Sequence, residues 1–262
     1  MTAAFFLLTR KRARRMLEMK GGNLMWTRAE LKEKAKAMMK HSYWMMFSVS
    51  LVAYLLTDAF ADILDMLSEQ HLLPLRGGLN LTVNGRSIWL NIPWLQMLQL
   101  QNALFFALIA IMLMVFIGNV IKVGTNRYYL GAASGPQPFS TLFSAFSSHY
   151  LNVVKVMFLV SVKILAWSLL LVIPGIVKSY EYRMIPYLLA QQPDMRAEDA
   201  FALSRKMTMG HKAEMFVLSL SFLGWLILGT LAFRIGVWFV RPYIESTWAQ
   251  LYLKLQENTQ TV

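Results

Sequence analysis

The chain contains apolar stretches that are too long to be ordinary elements of a water-soluble core. They run from about residue 102 to 121, from about 151 to 172 and from about 215 to 232. A helix of about 20 mainly apolar residues spans the hydrocarbon core of a bilayer. Only 15% of all residues are charged, against about 25% in ordinary soluble proteins. The sequence therefore predicts an all-α, polytopic transmembrane helical bundle.

Three further segments bring the predicted number of spans to about six. Residues 43–60 form the first span, 175–190 the fourth and 235–253 the sixth. The fourth contains three charged residues, Glu181 among them, so it is either packed inside the bundle or an incomplete crossing, and we favour burial. Basic residues before the first span place the N-terminus in the cytoplasm. We expect a multi-pass protein of the cell membrane with both termini cytoplasmic.

A basic amphipathic helix should precede the first span. Residues 27–30 have capping-box spacing, so the helix begins there and runs to about Lys40. Leu31, Ala35 and Met38 form one apolar stripe, as in a helix that lies on an anionic leaflet. A merely solvated helix is the alternative. The candidate lipid-headgroup contacts are the basic residues around the stripe: Arg28, Lys32, Lys36 and Lys40.

Similar amphipathic stretches recur along the chain. Residues 31–41, 139–149 and 200–211 each end in a histidine that directly precedes a predicted span. This weak repeat predicts units made of a cytoplasmic interface helix and an up-and-down pair of spans. The three histidines could form a metal or proton site. We interpret them as interfacial residues, because no carboxylate recurs beside them.

A hairpin is predicted in the outer loop after the first span. Asn84-Gly85 lies between two short alternating runs and is typical of a type I′ turn. Pairing Val83 with Arg86 sets Leu81 opposite Ile88 and Leu79 opposite Leu90.

The formal charge of +12 does not indicate nucleic-acid binding, because the basic residues lie near the ends of apolar segments. We expect the partners to be the bilayer and its anionic headgroups, with self-association or another membrane protein as open alternatives. The absence of cysteine excludes disulfides and thiolate metal sites. The sequence predicts no cofactor, no metal site and no catalytic residue.

A charged residue at membrane depth needs a partner, and Lys163 is the strongest case. It lies midway between Leu151 and Pro174, too far from either end for easy snorkelling. Asp58 and Glu181 are the candidate partners, and the three residues form a candidate intramembrane polar site. Pro174-Gly175 should end or kink the third span.

Residues 1–24 do not resemble a targeting segment and are predicted to be a non-native or disordered leader. Lys20-Gly21-Gly22 can be encoded by a purine-rich stretch like a bacterial ribosome-binding site, so we expect translation to start at Met25. Residues 25–257 would form a single integral membrane domain, and 258–262 a short polar tail.

Several motifs occur in the order found in one known family. The chain resembles the bacterial integral membrane proteins known as domain of unknown function nine hundred seventy-five, over about residues 25–257. The resemblance implies a cell-membrane protein and brings no established activity or catalytic residue. The motifs are Arg28-Ala29-Glu30-Leu31-Lys32, Tyr43-Trp44, residues 167–178, Pro186-Tyr187, residues 204–211 and 220–225, and Pro242-Tyr243.

Two functions follow from these features. The first is a non-enzymatic membrane module that organises lipid or partner proteins through its basic cytoplasmic helices. The alternative is a small-solute transporter or channel that uses Lys163 and the helix break at Pro174-Gly175. A membrane enzyme ranks third, because the sequence contains no GxSxG, HExxH, P-loop or dinucleotide motif.

Overall fold

The computed structural model describes the backbone of most of the chain. The described residues are 26–67, 78–83, 86–91, 105, 108–147, 149–231 and 236–260. The expected leader, the start at Met25 and the last two residues of the polar tail lie outside them.

The first helix, α1 (Arg28–Leu67), contains both the predicted interface helix and the predicted first span. It begins as expected, because the backbone N–H of Glu30 donates to Thr27 Oγ1 at 3.2 Å. Non-helical backbone angles at Ser42 (φ −138°, ψ 22°) kink it. The two predicted helices are therefore the two arms of one kinked helix, and they meet close to the predicted boundary.

A two-stranded antiparallel hairpin follows, made of β1 (Gly78–Val83) and β2 (Arg86–Asn91). Val83 lies opposite Arg86, Leu81 opposite Ile88, and Leu79 opposite Leu90. The predicted register is confirmed, since turn chemistry fixes the pairing of a short hairpin.

The second helix, α2, covers Leu108–Ala132 and includes a π-helical segment, Met114–Gly118. It continues well beyond residue 121, where the sequence predicted its end. In this additional part of α2, a Cβ atom at Gly124 would overlap the carbonyl oxygen of Leu142. The 3₁₀ helix Phe139–Phe146 can therefore pack directly on the α2 backbone.

A helical hairpin comes next, formed by α3 (Tyr150–Leu170) and α4 (Val172–Glu181). Extended backbone at Leu171 (φ −159°, ψ 143°) separates the two helices, so the break precedes Pro174-Gly175, which lies within α4. Gly175 packs on Ser168, whose Cα atom would be 2.8 Å from an added Cβ.

The predicted fourth span is interrupted. Residues 182–184 form a turn between α4 and α5 (Ile185–Gln191), and residues 185–190 of α5 are buried. Asn152 at the start of α3 donates hydrogen bonds at 2.8 Å to the carbonyls of Pro193 and Met195. The chain therefore returns along α3 in two short helices. The predicted burial holds for α5, whereas Ile176, Val177 and Arg183 of the same predicted span are exposed.

Four helices complete the chain: α6 (Ala197–Thr208), α7 (Lys212–Leu220), α8 (Leu223–Leu231) and α9 (Gly236–Gln260). The last packs along α1, where the rings of Phe47 and Phe239 stack with centroids 4.8 Å apart.

Three helical segments in the described part of the chain are long and apolar enough to cross a membrane. They are Leu108–Ala132, Tyr150–Leu170 and Lys212–Thr230, and they match the second, third and fifth predicted spans. The total of six spans stays a prediction, as do the cell membrane and the orientation of the termini.

Buried and exposed apolar residues occupy different halves of the long helices. The buried core includes the first part of α3, around Val156. By contrast, the consecutive residues 169–173 at the α3–α4 junction are all strongly exposed. Similar exposed apolar residues occur in the first half of α2 and along α7 and α8. A water-soluble protein seldom exposes so large an apolar surface, whereas a bilayer accepts it.

Candidate ligand-binding cavity and charged cluster

A cavity of about 660 Å³ lies between α1, α2, α8 and α9. Its wall on α2 changes character along the helix. Ala110, Ile111 and Leu113 make it apolar at one end, and Asn119 and Asn126 make it polar at the other. The cavity therefore has one apolar and one polar end, as a site for an amphiphile would, and its volume lies in the usual range of about 300–1,000 Å³ for small-molecule pockets.

The two asparagines are the most informative residues of the cavity. Asn119 is 7% exposed and Asn126 is 4% exposed, and their seven-residue separation puts them on one face of α2. Among the residues that the structure describes, neither side-chain amide has a hydrogen-bond partner. Because both residues line the cavity, their amides offer donors and acceptors to a ligand there.

Charged residues also line the polar end of the cavity. Lys122 comes from α2, and Arg241 and Glu245 come from α9. The guanidinium of Arg241 also lies over the ring of Tyr54, 4.6 Å from its centroid. Arg241 and Glu245 are four residues apart, so they lie on one face of α9, and both line the cavity.

The π-helical segment Met114–Gly118 borders the same cavity through Met114 and Gly118. Such segments are rare and often occur at functional sites, because they widen the helix and change its register. Here the segment separates the apolar wall from the two asparagines.

Lys163 is not paired with Glu181 in the described structure. Its side chain is exposed and its Nζ atom lies 3.7 Å from the ring centroid of Phe201 on α6. Lys163 therefore has a cation–π partner in place of the expected carboxylate. Glu181 binds other cations, and the side chain of Asp58 lies outside the described residues. Neither Lys163 nor Pro174-Gly175 lines the cavity.

Glu181 is the centre of a charged cluster between α4, α6 and α7. Its side chain is 4% exposed, and its Oε1 atom accepts from Lys178 Nζ at 2.7 Å and Arg205 Nε at 3.1 Å. Lys212 Nζ forms a third ion pair, with Oε2. One carboxylate therefore holds three cations, one from each helix.

The backbone of Glu181 is held as firmly as its side chain. Its carbonyl oxygen accepts a hydrogen bond from Ser204 Oγ at 2.6 Å, so α6 is fixed to the end of α4. Glu181 lies outside the three candidate spans. Burial raises the pKa of its carboxyl group, but hydrogen bonds and charges from Lys178, Lys212 and Arg205 outweigh that effect and lower the pKa to about 2.

The first arm of α1 differs from the expected bilayer-surface helix. Leu31 and Ala35 are buried in the protein core, so the apolar stripe packs on protein in place of lipid. Lys32 lies against the protein as well, with Nζ 3.5 Å from the Ser221 carbonyl oxygen and 4.7 Å from the Phe222 ring centroid. The other three headgroup candidates, Arg28, Lys36 and Lys40, are exposed.

The three histidines of the repeat lie where helices begin or bend. His149 (φ 64°, ψ 20°) and His211 directly precede α3 and α7, and His41 comes just before the kink at Ser42. Within the described ranges, no three His, Asp or Glu side chains are placed to hold a metal ion.

These features define a helical protein with candidate membrane-spanning helices and a cavity between four of its helices. A family model described as protein of unknown function (DUF975) matches residues 94–259, and the chain belongs to this family. The match begins later than the resemblance at about residue 25, so the motifs around Arg28 and Tyr43-Trp44 lie outside it. No curated protein and no solved structure matches the chain.

Proposed function

We propose that this protein is a non-enzymatic membrane module that binds an amphiphilic ligand in the cavity between α1, α2, α8 and α9. The observation that carries the proposal is the pair of asparagines, Asn119 and Asn126, which line the polar end of a cavity whose other end is apolar, and whose side-chain amides have no partner among the described residues. The two amides line the cavity, so their donors and acceptors can reach the head group of a ligand. Each hydrogen bond to the ligand would contribute about 0.5–1.5 kcal/mol.

The ligand fits the cavity in one direction. Its head group binds near Asn119, Asn126 and the charged side chains, and its chain lies along Ala110 and Leu113. Burial of the chain adds about 0.8 kcal/mol for each CH₂ group. We place the module in the bacterial cell membrane as a multi-pass protein with both termini in the cytoplasm. Its partners are then lipids, and no nucleic acid is involved.

A bulky residue in the cavity tests the proposal. Purified protein in neutral detergent is titrated with a myristoyl lysophosphatidylglycerol probe, and binding is followed by native mass spectrometry. Ala110→Trp fills the apolar end of the cavity, so the variant should bind one probe molecule fewer than the parent protein. The matched control is Leu108→Trp, since Leu108 lies on the same helix but is exposed. Equal binding by both variants and the parent protein would exclude the cavity as the site.

A second variant separates the polar end from the apolar end. Asn126→Leu removes one amide without filling the cavity, so it should weaken probe binding about tenfold, as expected for one lost hydrogen bond. Unfolding stability should not fall, because the buried amide has no protein partner among the described residues. A loss of stability with unchanged binding would argue for a structural role.

A small-solute transporter is the second candidate. The π-helical segment Met114–Gly118 favours it, since a shift of helix register beside charged residues can open a path. The path would pass Lys122 and Glu245 and not Lys163. Flux of rubidium and acetate from proteoliposomes tests it: Asn119→Leu should reduce flux, and Lys163→Ala should not.

A further inference from the structure

We propose that the cluster around Glu181 is a second binding site, which takes the phosphate of an anionic phospholipid. The site lies apart from the cavity, because none of its four charged residues lines the cavity wall. It goes beyond the proposed ligand function and does not depend on it.

The first argument is the charge of the cluster. Lys178, Arg205 and Lys212 all contact the single carboxylate of Glu181, which leaves a net formal charge of +2. The three cations lie close together and repel one another. Because the cluster is partly buried, this repulsion is screened less than it would be in water. A bound anion would neutralise the excess charge.

The second argument is the orientation of unused donors. Arg205 uses only Nε to contact Glu181, and its side chain is 64% exposed. In the part of the chain that the structure describes, its two terminal guanidinium nitrogens have no hydrogen-bond partner. A guanidinium edge matches two phosphate oxygens. Lys212 is 30% exposed beside it and supplies an ammonium group.

The third argument selects a lipid over free phosphate. Lys212 is the first residue of the candidate span Lys212–Thr230, so the cluster lies at the end of a span, where headgroups are expected. Val177 precedes Lys178, and Phe216 lies one turn after Lys212. Both are exposed apolar residues. The phosphate site therefore adjoins a surface that acyl chains can cover.

Lipid titration of two neighbouring variants tests the site. Purified, delipidated protein in neutral detergent is titrated with phosphatidylglycerol, phosphatidylcholine or inorganic phosphate, and lipid retention is measured by native mass spectrometry. The matched variants are Arg205→Gln and Lys206→Gln. Each removes one positive charge from adjacent exposed positions of α6, but only Arg205 contacts Glu181.

Arg205→Gln should weaken phosphatidylglycerol binding about fivefold, while Lys206→Gln should change it less than about twofold. Arg205→Gln should still fold, because Glu181 keeps Lys178 and Lys212 as partners. Thermal unfolding of Arg205→Gln in lipid-free detergent checks that this variant is folded. If Arg205→Gln is unfolded, Lys212→Gln replaces it in the lipid titration.

Three outcomes would overturn the proposal. Equal weakening by Arg205→Gln and Lys206→Gln would mean diffuse attraction to a basic surface. Equal retention of phosphatidylcholine would mean no selectivity for anionic lipid. Competition by inorganic phosphate at the lipid's own concentration would identify free phosphate as the ligand.

Discussion

The rings of Tyr128 and Tyr129 meet edge to face, with centroids 5.5 Å apart, yet only one of the two hydroxyl groups has a partner. Tyr129 Oη lies 2.6 Å from Ser50 Oγ and donates to the Met46 carbonyl at 3.1 Å. The buried hydroxyl of Tyr128 has no hydrogen-bond partner in the described structure. Neighbouring tyrosines on one helix therefore make different contributions to stability.

Tyr129→Phe should lower the free energy of unfolding by about 2 kcal/mol, because it leaves the buried Ser50 hydroxyl with no partner. Tyr128→Phe is the matched control and should be neutral or slightly stabilising, since it removes a buried, unsatisfied hydroxyl. Thermal unfolding in detergent measures both. If the two variants lost equal stability, the hydrogen bond from α2 to α1 would not be the cause.

Arg127 on α2 connects two other elements and gives a second prediction. Its Nε donates to the Ala190 carbonyl at the end of α5 at 2.7 Å, and Nη1 donates to Ser144 Oγ at 3.0 Å. Arg127→Gln should destabilise the fold by about 2 kcal/mol, because a shorter amide leaves the Ala190 carbonyl unsatisfied. Arg196→Gln breaks only an exposed ion pair with Asp199 and should cost clearly less, because exposed ion pairs contribute little to stability. A larger loss for Arg196→Gln would refute this ranking.

The parts of the fold that depend on local chemistry could be predicted from the sequence. The Thr27 cap, the bend near Ser42 and the hairpin register are set by a few adjacent residues. The end of α2 could not be predicted in this way. The additional part of α2 packs on a separate element, where Gly124 meets Leu142.

The candidate site also depends on contacts between separate elements, which the sequence does not reveal. The sequence showed that Lys163 needs a partner but could not reveal that α6 brings Phe201 to it. Asn126 was missed because the predicted second span ended at residue 121, and Asn119 was missed because only charged residues of the spans were considered as candidate site residues. Their seven-residue spacing was the available signal, since two amides on one face of an apolar helix are unusual.

Removal of the Glu181 carboxylate gives a pH-dependent prediction. Glu181→Gln leaves three neighbouring cations without their anion and should cost about 2–3 kcal/mol, less than in a fully buried pair because Arg205 is exposed. Asp199→Asn, in an exposed ion pair, should cost under about 1 kcal/mol.

The folded-state pKa of Glu181, about 2, lies below the ordinary value of 4.5. Its contribution is therefore complete above pH 4.5 and is lost as the pH falls towards 2. The stability difference between the parent protein and Glu181→Gln should be constant from about pH 5 to 8 and shrink in acid. A difference that grew in acid would contradict the assigned pKa.

Close contact between α8 and α9 gives the last prediction. An added Cβ atom at Gly229 would lie 2.7 Å from the backbone nitrogen of Val237, whereas one at Gly224 would meet nothing within 4 Å. Gly229→Ala should therefore force the two helices apart and cost about 1–3 kcal/mol. Gly224→Ala, five residues earlier on α8, should stabilise the helix by up to about 1 kcal/mol. Thermal unfolding of both variants tests this prediction. Equal changes in stability would mean that α8 and α9 do not pack through Gly229. Since Leu226 and Val237 line the cavity, Gly229→Ala should also weaken binding of the lysophosphatidylglycerol probe, and Gly224→Ala should leave it unchanged.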